Sequence, residues 1–266
     1  VEYPKEGWTW DESVAKGAEL RDKIAEKGGE EYPLAMEIDE PQPSYLQLLV
    51  QEGLKIYSDD GLTTDLNDPK AVKPFADIVK LMDDKILPEY KILSDTKATD
   101  LFISEKAAML YVGSWKSSVL DSASFAKNIG LIPMPTRENN HCALGGISYS
   151  MSASSKNKEA AWKLISYLSG PESNRIQAEA RIEIPAYIAV QDAYGPTFQN
   201  IDGSIFIEQS KSAVKYPVHR AIATTTQIIS DNAAAIFSRT VTPEEGVTKM
   251  AKEVQAAIDE YNATMK

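Results

Sequence analysis

The chain has 266 residues, 43% of them hydrophobic and 25% charged, with 39 acidic against 28 basic side chains and a formal net charge of −11. That length suffices for one large core or two lobes, and the composition is that of a soluble globular protein. The acidic balance, with no basic stripe, argues against nucleic acid and anionic membranes as partners. No apolar run approaches the roughly 20 residues of a membrane-spanning helix, and the single cysteine, Cys142, has no partner for an internal disulfide.

The first predicted helix starts at Thr9-Trp10-Asp11-Glu12, a capping box with Thr9 at the N-cap and Glu12 at N3. Val14, Ala18, Arg21 and Ala25 mark its inner face, and Gly28-Gly29 stops it. A strand over Tyr32 to Met36 runs into Glu37-Ile38-Asp39-Glu40-Pro41-Gln42-Pro43, where two prolines forbid regular structure. Asp39, Glu40 and Gln42 thus project from a rigid loop, in a position to meet a ligand or to form a solvated acidic turn before a helix over Ser44 to Glu52. Asp59-Asp60-Gly61 and Asp65-Leu66-Asn67-Asp68 lack the order and the closing Glu of a calcium loop, and read as a hairpin turn and a helix cap. Asp68-Pro69 opens a helix that runs toward Lys85, and Asp100 to Glu105 forms one or two helical turns.

Ala107 to Val112 is a short buried strand, and Gly113-Ser114-Trp115 follows it. Gly113 permits a sharp turn, Ser114 can cap the next helix, and Trp115 stands at a strand-to-helix corner, where open α/β sheets place ligands. An indole offers a flat apolar face and one N–H donor, which suits a sugar ring; the same stretch also fits a core tryptophan at a helix start. Ile129 to Pro135 reads as a strand entering a proline-fixed linker, Thr136 to His141 as a polar loop, and Leu144 to Met151 as an alternating strand whose Gly145 and Gly146 admit a ligand to the backbone. Helices follow from Ser154 to Leu168, Glu172 to Ala180, Thr226 to Phe237 and Pro243 to Tyr261, the last opened by Thr242-Pro243-Glu244-Glu245.

These pieces, in this order, resemble the carbohydrate-type extracellular solute-binding proteins of ABC importers, the maltose-binding-protein-like class. The resemblance rests on Trp8-Thr9-Trp10-Asp11-Glu12, Ala107-Ala108-Met109 with Gly113-Ser114-Trp115, Ile129 to Pro135, Gly145-Gly146, Ser155 to Lys163, Ile184-Pro185 and the last helix. It implies an α/β fold of the periplasmic-binding-protein type II, with two lobes closing by hinge bending on a ligand between them. Residues 1–135 and 196–266 would form the C-terminal lobe, and 136–195 an excursion into the N-terminal lobe. The pattern is entered in its middle, so a signal region and the first part of the N-terminal lobe are expected upstream of Val1.

Carried over position by position, the resemblance implies that Asp39, Glu40 and Gln42, with Tyr45 behind them, face the ligand from one side. Ser114 and Trp115 match the corner that stacks on or hydrogen-bonds a sugar, and Gly145 and Gly146 match a loop whose backbone approaches it. Glu183 precedes the Pro185 loop, and Arg220 matches a position that often reaches the cleft; a surface ion pair or plain solvation fits Glu183 and Arg220 equally. The implied protein is a monomeric, non-enzymatic, extracytoplasmic binder of an oligosaccharide that needs no cofactor or metal and hands its ligand to an ABC permease. A glycoside hydrolase using Asp39 and Glu183 is the alternative, and a surface adhesion domain is a third. No G-x-S-x-G, H-E-x-x-H or P-loop occurs, and His141 and His219 with Cys142 are too small a set for zinc.

Overall fold

The first helix, α1 (Trp10–Glu26), starts on the expected capping box: the Thr9 N–H donates to Glu12 Oε2 at 2.7 Å and the Glu12 N–H to Thr9 Oγ1 at 3.2 Å. Gly28, at φ +70°, takes the left-handed turn that ends it. Its buried face is Trp10, Ser13 and Gly17, with Val14, Ala18 and Arg21 half-buried and Ala25 exposed. The face lies off the apolar stripe because Gly17 admits the Ile86 side chain, which a Cβ would obstruct.

In this computed structural model, which describes residues 1–265, β1 (Tyr32–Met36) pairs in parallel with β2 (Ala107–Tyr111), Leu34 opposite Met109 and Met36 opposite Tyr111. Parallel strands need a long crossover, supplied here by α2 (Gln47–Gln51), α3 (Val72–Asp83), α4 (Tyr90–Asp95) and α5 (Ala98–Ile103). The helix expected from Ser44 is shorter, because Gln42–Leu46 is a wide turn in which Ser44 leaves helical geometry (φ −116°, ψ −117°). Pro41 and Pro43 donate no N–H there, and the Ser44 hydroxyl bonds the Glu40 carbonyl at 2.7 Å instead. The acidic stretches after Ser58 are a turn and caps as expected: Asp60 accepts from the Leu62 N–H, Thr64 from the Leu66 N–H and Asp68 from the Lys70 N–H.

The middle of the chain carries α6 (Ser117–Asp121), β3 (Cys142–Leu144), α7 (Lys158–Leu168), α8 (Pro171–Glu179) and α9 (Ser204–Ser210). Then come β4 (Ala213–Lys215), which pairs with β3, α10 (Ile222–Phe237) and α11 (Pro243–Thr264), opened by the Thr242/Glu245 capping box. Two predicted strands shrink. Residues 129–135 form none, since Pro133 and Pro135 cannot donate to a ladder; only Thr136 pairs, with Thr9. Strand 144–151 ends at Leu144, and residues 145–151 stand exposed outside any strand.

The chain divides into two compact units: Val1–Val112, Met134–Ala143 and Val214–Lys266 make the first, Gly113–Pro133 and Leu144–Ala213 the second. The first has one continuous core that includes Met36, Tyr45, Phe75, Ile78, Phe237 and Met250. The second centres on Tyr194, whose ring meets Phe198 and Phe206 edge-on. The expected lobe divisions at 135/136 and 195/196 coincide with none of the unit boundaries. The N–H groups of residues 199–201 donate to the Asp121 carboxylate, and the Ser117 and Tyr194 hydroxyls bond each other, so that segments 113–133 and 196–213 both belong to the second unit. Among the described residues no helix is long and apolar enough to cross a membrane.

Candidate functional site

The acidic loop of the first unit is held from below. Glu37 is buried, and its carboxylate accepts from the Ala98 N–H at 3.1 Å, the Thr99 N–H at 3.0 Å and the Thr99 hydroxyl. That fixes the loop base and leaves Asp39 exposed and Glu40 half-buried, 3.9 Å from Lys97 Nζ. Burial, and then the charge of Asp39, push the Tyr90 phenol above its ordinary value.

Gln42 is half-buried and Tyr45 is buried. Gln42 donates through Nε2 to the Ala143 carbonyl at 3.0 Å. Gln47 donates to the His141 carbonyl at 2.7 Å and accepts the Ala143 N–H, while Gln51 donates to the Pro135 carbonyl. Three glutamines thus fasten residues 135–143 to the α2 region. Arg137 locks the same segment, with Nε 2.6 Å from Glu52 and its guanidinium 4.5 Å over the Trp10 ring. Tyr45 is 1% exposed and packs on Phe75 and Phe237, so it supports the loop from inside the core.

Arg220 ends the loop Tyr216–Arg220, which His219 pins. The Ala221 N–H donates to His219 Nδ1 at 3.0 Å, so Nε2 carries the proton donated to the Gly61 carbonyl, also at 3.0 Å. Arg220 itself is exposed and, among the described residues, makes no ion pair; the same holds for half-buried Glu183. Arg220, Asp39 and Glu40 belong to the first unit, whereas Ser114, Trp115, Gly145, Gly146 and Glu183 belong to the second.

In the second unit Trp115 is 40% exposed, too open for a core tryptophan. It lies in a single tight turn, Ser114–Lys116, that leads into α6. Ser114 is not the helix cap: the turn opens at Gly113, whose φ of −85° any residue adopts, and no side chain caps it. Below the corner lies Tyr194, fully buried, its hydroxyl 2.8 Å from Ser117 Oγ and 3.5 Å from the Ser114 carbonyl. Burial raises its phenol pKa and the Ser117 bond only partly offsets this, so the group is a neutral donor at physiological pH.

Gly145 and Gly146 are exposed, and a Cβ on Gly146 would meet nothing, so its backbone is open to approach. The Glu183 loop is anchored by Arg181, which pairs with Asp121. Burial works to raise the Asp121 carboxyl, but the Asn200, Gln199 and Ile201 N–H groups and Arg181 outweigh it and hold the group below the usual carboxylate range. Tyr194, Asp121 and the glutamine fastening left no signal in the sequence, since each works through partners dozens of residues away. Among the described residues no group of three His, Cys, Asp or Glu side chains is placed to hold a metal ion.

Residues 3–201 match the family model of bacterial extracellular solute-binding proteins. A galactooligosaccharide-binding protein of Bacillus subtilis is 32% identical over 126 residues, covering 46% of this chain and 30% of that protein. Among solved structures, an ABC substrate-binding protein of Listeria monocytogenes in complex with cycloalternan aligns with a TM-score of 0.79 at 20% identity, over 97% of this chain and 66% of that one. The maltose/maltodextrin-binding domain of Bdellovibrio bacteriovorus, bound to maltotriose, gives 0.75 at 22%, over 99% and 68%. The fold is thus the type II periplasmic-binding-protein fold, and this chain spans about two thirds of the length of these structures.

Proposed function

The chain belongs to the bacterial extracellular solute-binding proteins, and from that premise we propose that the protein captures a carbohydrate, an oligosaccharide, outside the cytoplasmic membrane. The observation that carries this reading is Trp115, a 40% exposed indole on a corner braced by a buried tyrosine. A rigid aromatic face matches the apolar face of a sugar ring. Elsewhere in the same unit, Ser114 and the exposed backbone at Gly145 and Gly146 offer neutral hydrogen-bonding groups, and Glu183 a carboxylate. Asp39, Glu40 and Arg220 supply charged groups, whose bonds to hydroxyls are stronger than neutral ones. Gln42 and Tyr45 serve by supporting the acidic loop. The similarity to the galactooligosaccharide-binding protein favours an oligosaccharide over a monosaccharide.

In this reading the protein is a monomer without catalytic activity, ligand biases it toward a closed form, and that form is presented to an ABC permease. The similarities to binding proteins favour this over hydrolysis by Asp39 and Glu183. A thermal-shift screen of the protein against mono- and oligosaccharides tests the reading. A ligand at about 100 times Kd adds roughly 2.7 kcal/mol of stability, without product release. Released product would mark a hydrolase; no stabilisation by any sugar would refute the proposal.

A further inference from the structure

Gly113 precedes Trp115 by two residues, and its backbone gives no reason for a glycine: φ −85° and ψ 161° are ordinary extended values. The reason is spatial. A Cβ built on Gly113 would fall among Cε3, Cζ3 and Cη2 of the Trp115 indole. The six-membered part of the ring therefore rests on the glycine α-carbon, where no other residue leaves room. A tryptophan with 40% of its surface in solvent would otherwise sample several rotamers. Here the six-membered part of the ring lies against the Gly113 main chain, and 40% of the residue meets solvent.

We infer that Gly113 is a positioning residue for Trp115: its missing side chain is the seat that presents the indole to a sugar. The inference deepens the carbohydrate reading and rests on it. Its energetic logic is preorganisation, since a ring already held in the bound orientation gives up little rotamer freedom on binding. The seat is separable from the fold. The atoms that an alanine at 113 would displace belong to the far end of an exposed side chain, so the indole can swing away while the backbone stays. Tyr194 braces the turn itself, through Ser117, and does not substitute for the seat.

The test is a double-mutant cycle of Gly113→Ala and Trp115→Ala, read by sugar affinity and by proton NMR of the unliganded protein. In the wild type, the indole ring current shifts the Gly113 Hα resonances upfield, with cross-relaxation to the Trp115 six-ring protons; Trp115→Ala removes both. Gly113→Ala weakens binding about tenfold or more while leaving the melting temperature nearly unchanged, and in the Trp115→Ala background it changes affinity less than about twofold. Full affinity in Gly113→Ala, with affinity weakened in Trp115→Ala, overturns the seat and leaves the sugar reading standing. Full affinity in Trp115→Ala overturns the sugar reading at this corner. Absence of the upfield shift overturns the seat whatever the binding data show.

Discussion

The two units use the same kind of amphipathic helix to different ends. In the first, α3 turns Phe75, Ile78, Leu81 and Met82 inward, and each is at most 2% exposed. In the second, α7 carries an apolar stripe too, Ala161, Leu164, Ile165 and Leu168, yet buries none of its residues: Leu164 is 58% exposed and its neighbour Trp162 62%. Periodicity thus tells which face of a helix is apolar and not what covers it, because burial needs a second element at the right place. The first unit has that element in α10 and α11, which pack on α3. The second gathers a smaller core around Tyr194, with Leu120, Ala178, Val190 and Ile201 buried, and adds polar clasps, Asp121 on the 199–201 backbone and Ser117 on Tyr194.

Substitutions at matched positions sharpen this contrast. Phe75→Ala removes a fully buried ring 5.4 Å from Tyr45 and 6.0 Å from Phe237 and costs about 4 kcal/mol in denaturant unfolding. Asp121→Ala strips three N–H groups and Arg181 of their acceptor and destabilises the second unit by about 3 kcal/mol. Because the folded Asp121 holds its proton more weakly than the unfolded chain, its contribution is complete above about pH 4 and fades as pH falls below that. Circular dichroism against pH should therefore show the Asp121→Ala protein less sensitive to acid than the wild type in this range. Thr242→Ala deletes one arm of the α11 capping box and costs about 1 kcal/mol. Leu164→Ala, on the open face of α7, changes stability by less than about 0.5 kcal/mol. A loss several times larger would mean that this face is covered in solution and would break the comparison.

The sequence was most legible where the interactions are local. Thr9/Glu12 and Thr242/Glu245 announced two helices to the residue, because a capping box closes within four positions. The β1 and β2 strands were legible as apolar runs between punctuating residues. Pro41 lies in an irregular stretch as expected, Pro43 falls inside the wide turn Gln42–Leu46, and Pro133 and Pro135 lack the donors of the strand that the apolar residues suggested. At the candidate site, Trp115 and the exposed acids stood out by residue type. Gln42 and Tyr45 did not reveal that their partners are the Ala143 carbonyl and the Phe75–Phe237 stack, since side-chain commitments over such separations carry no periodic mark. Gly113 was noticed for a turn, and its function as a seat became visible only with the Trp115 ring in place.

Calorimetric titration of a galacto-oligosaccharide into the wild-type protein and into Trp115→Ala tests the central claim most directly. The account predicts saturable binding to the wild type and a weaker but measurable affinity in the variant, with the two melting temperatures close in the absence of sugar. Equal affinity in both proteins, or no binding of the sugar to the wild type, would contradict it.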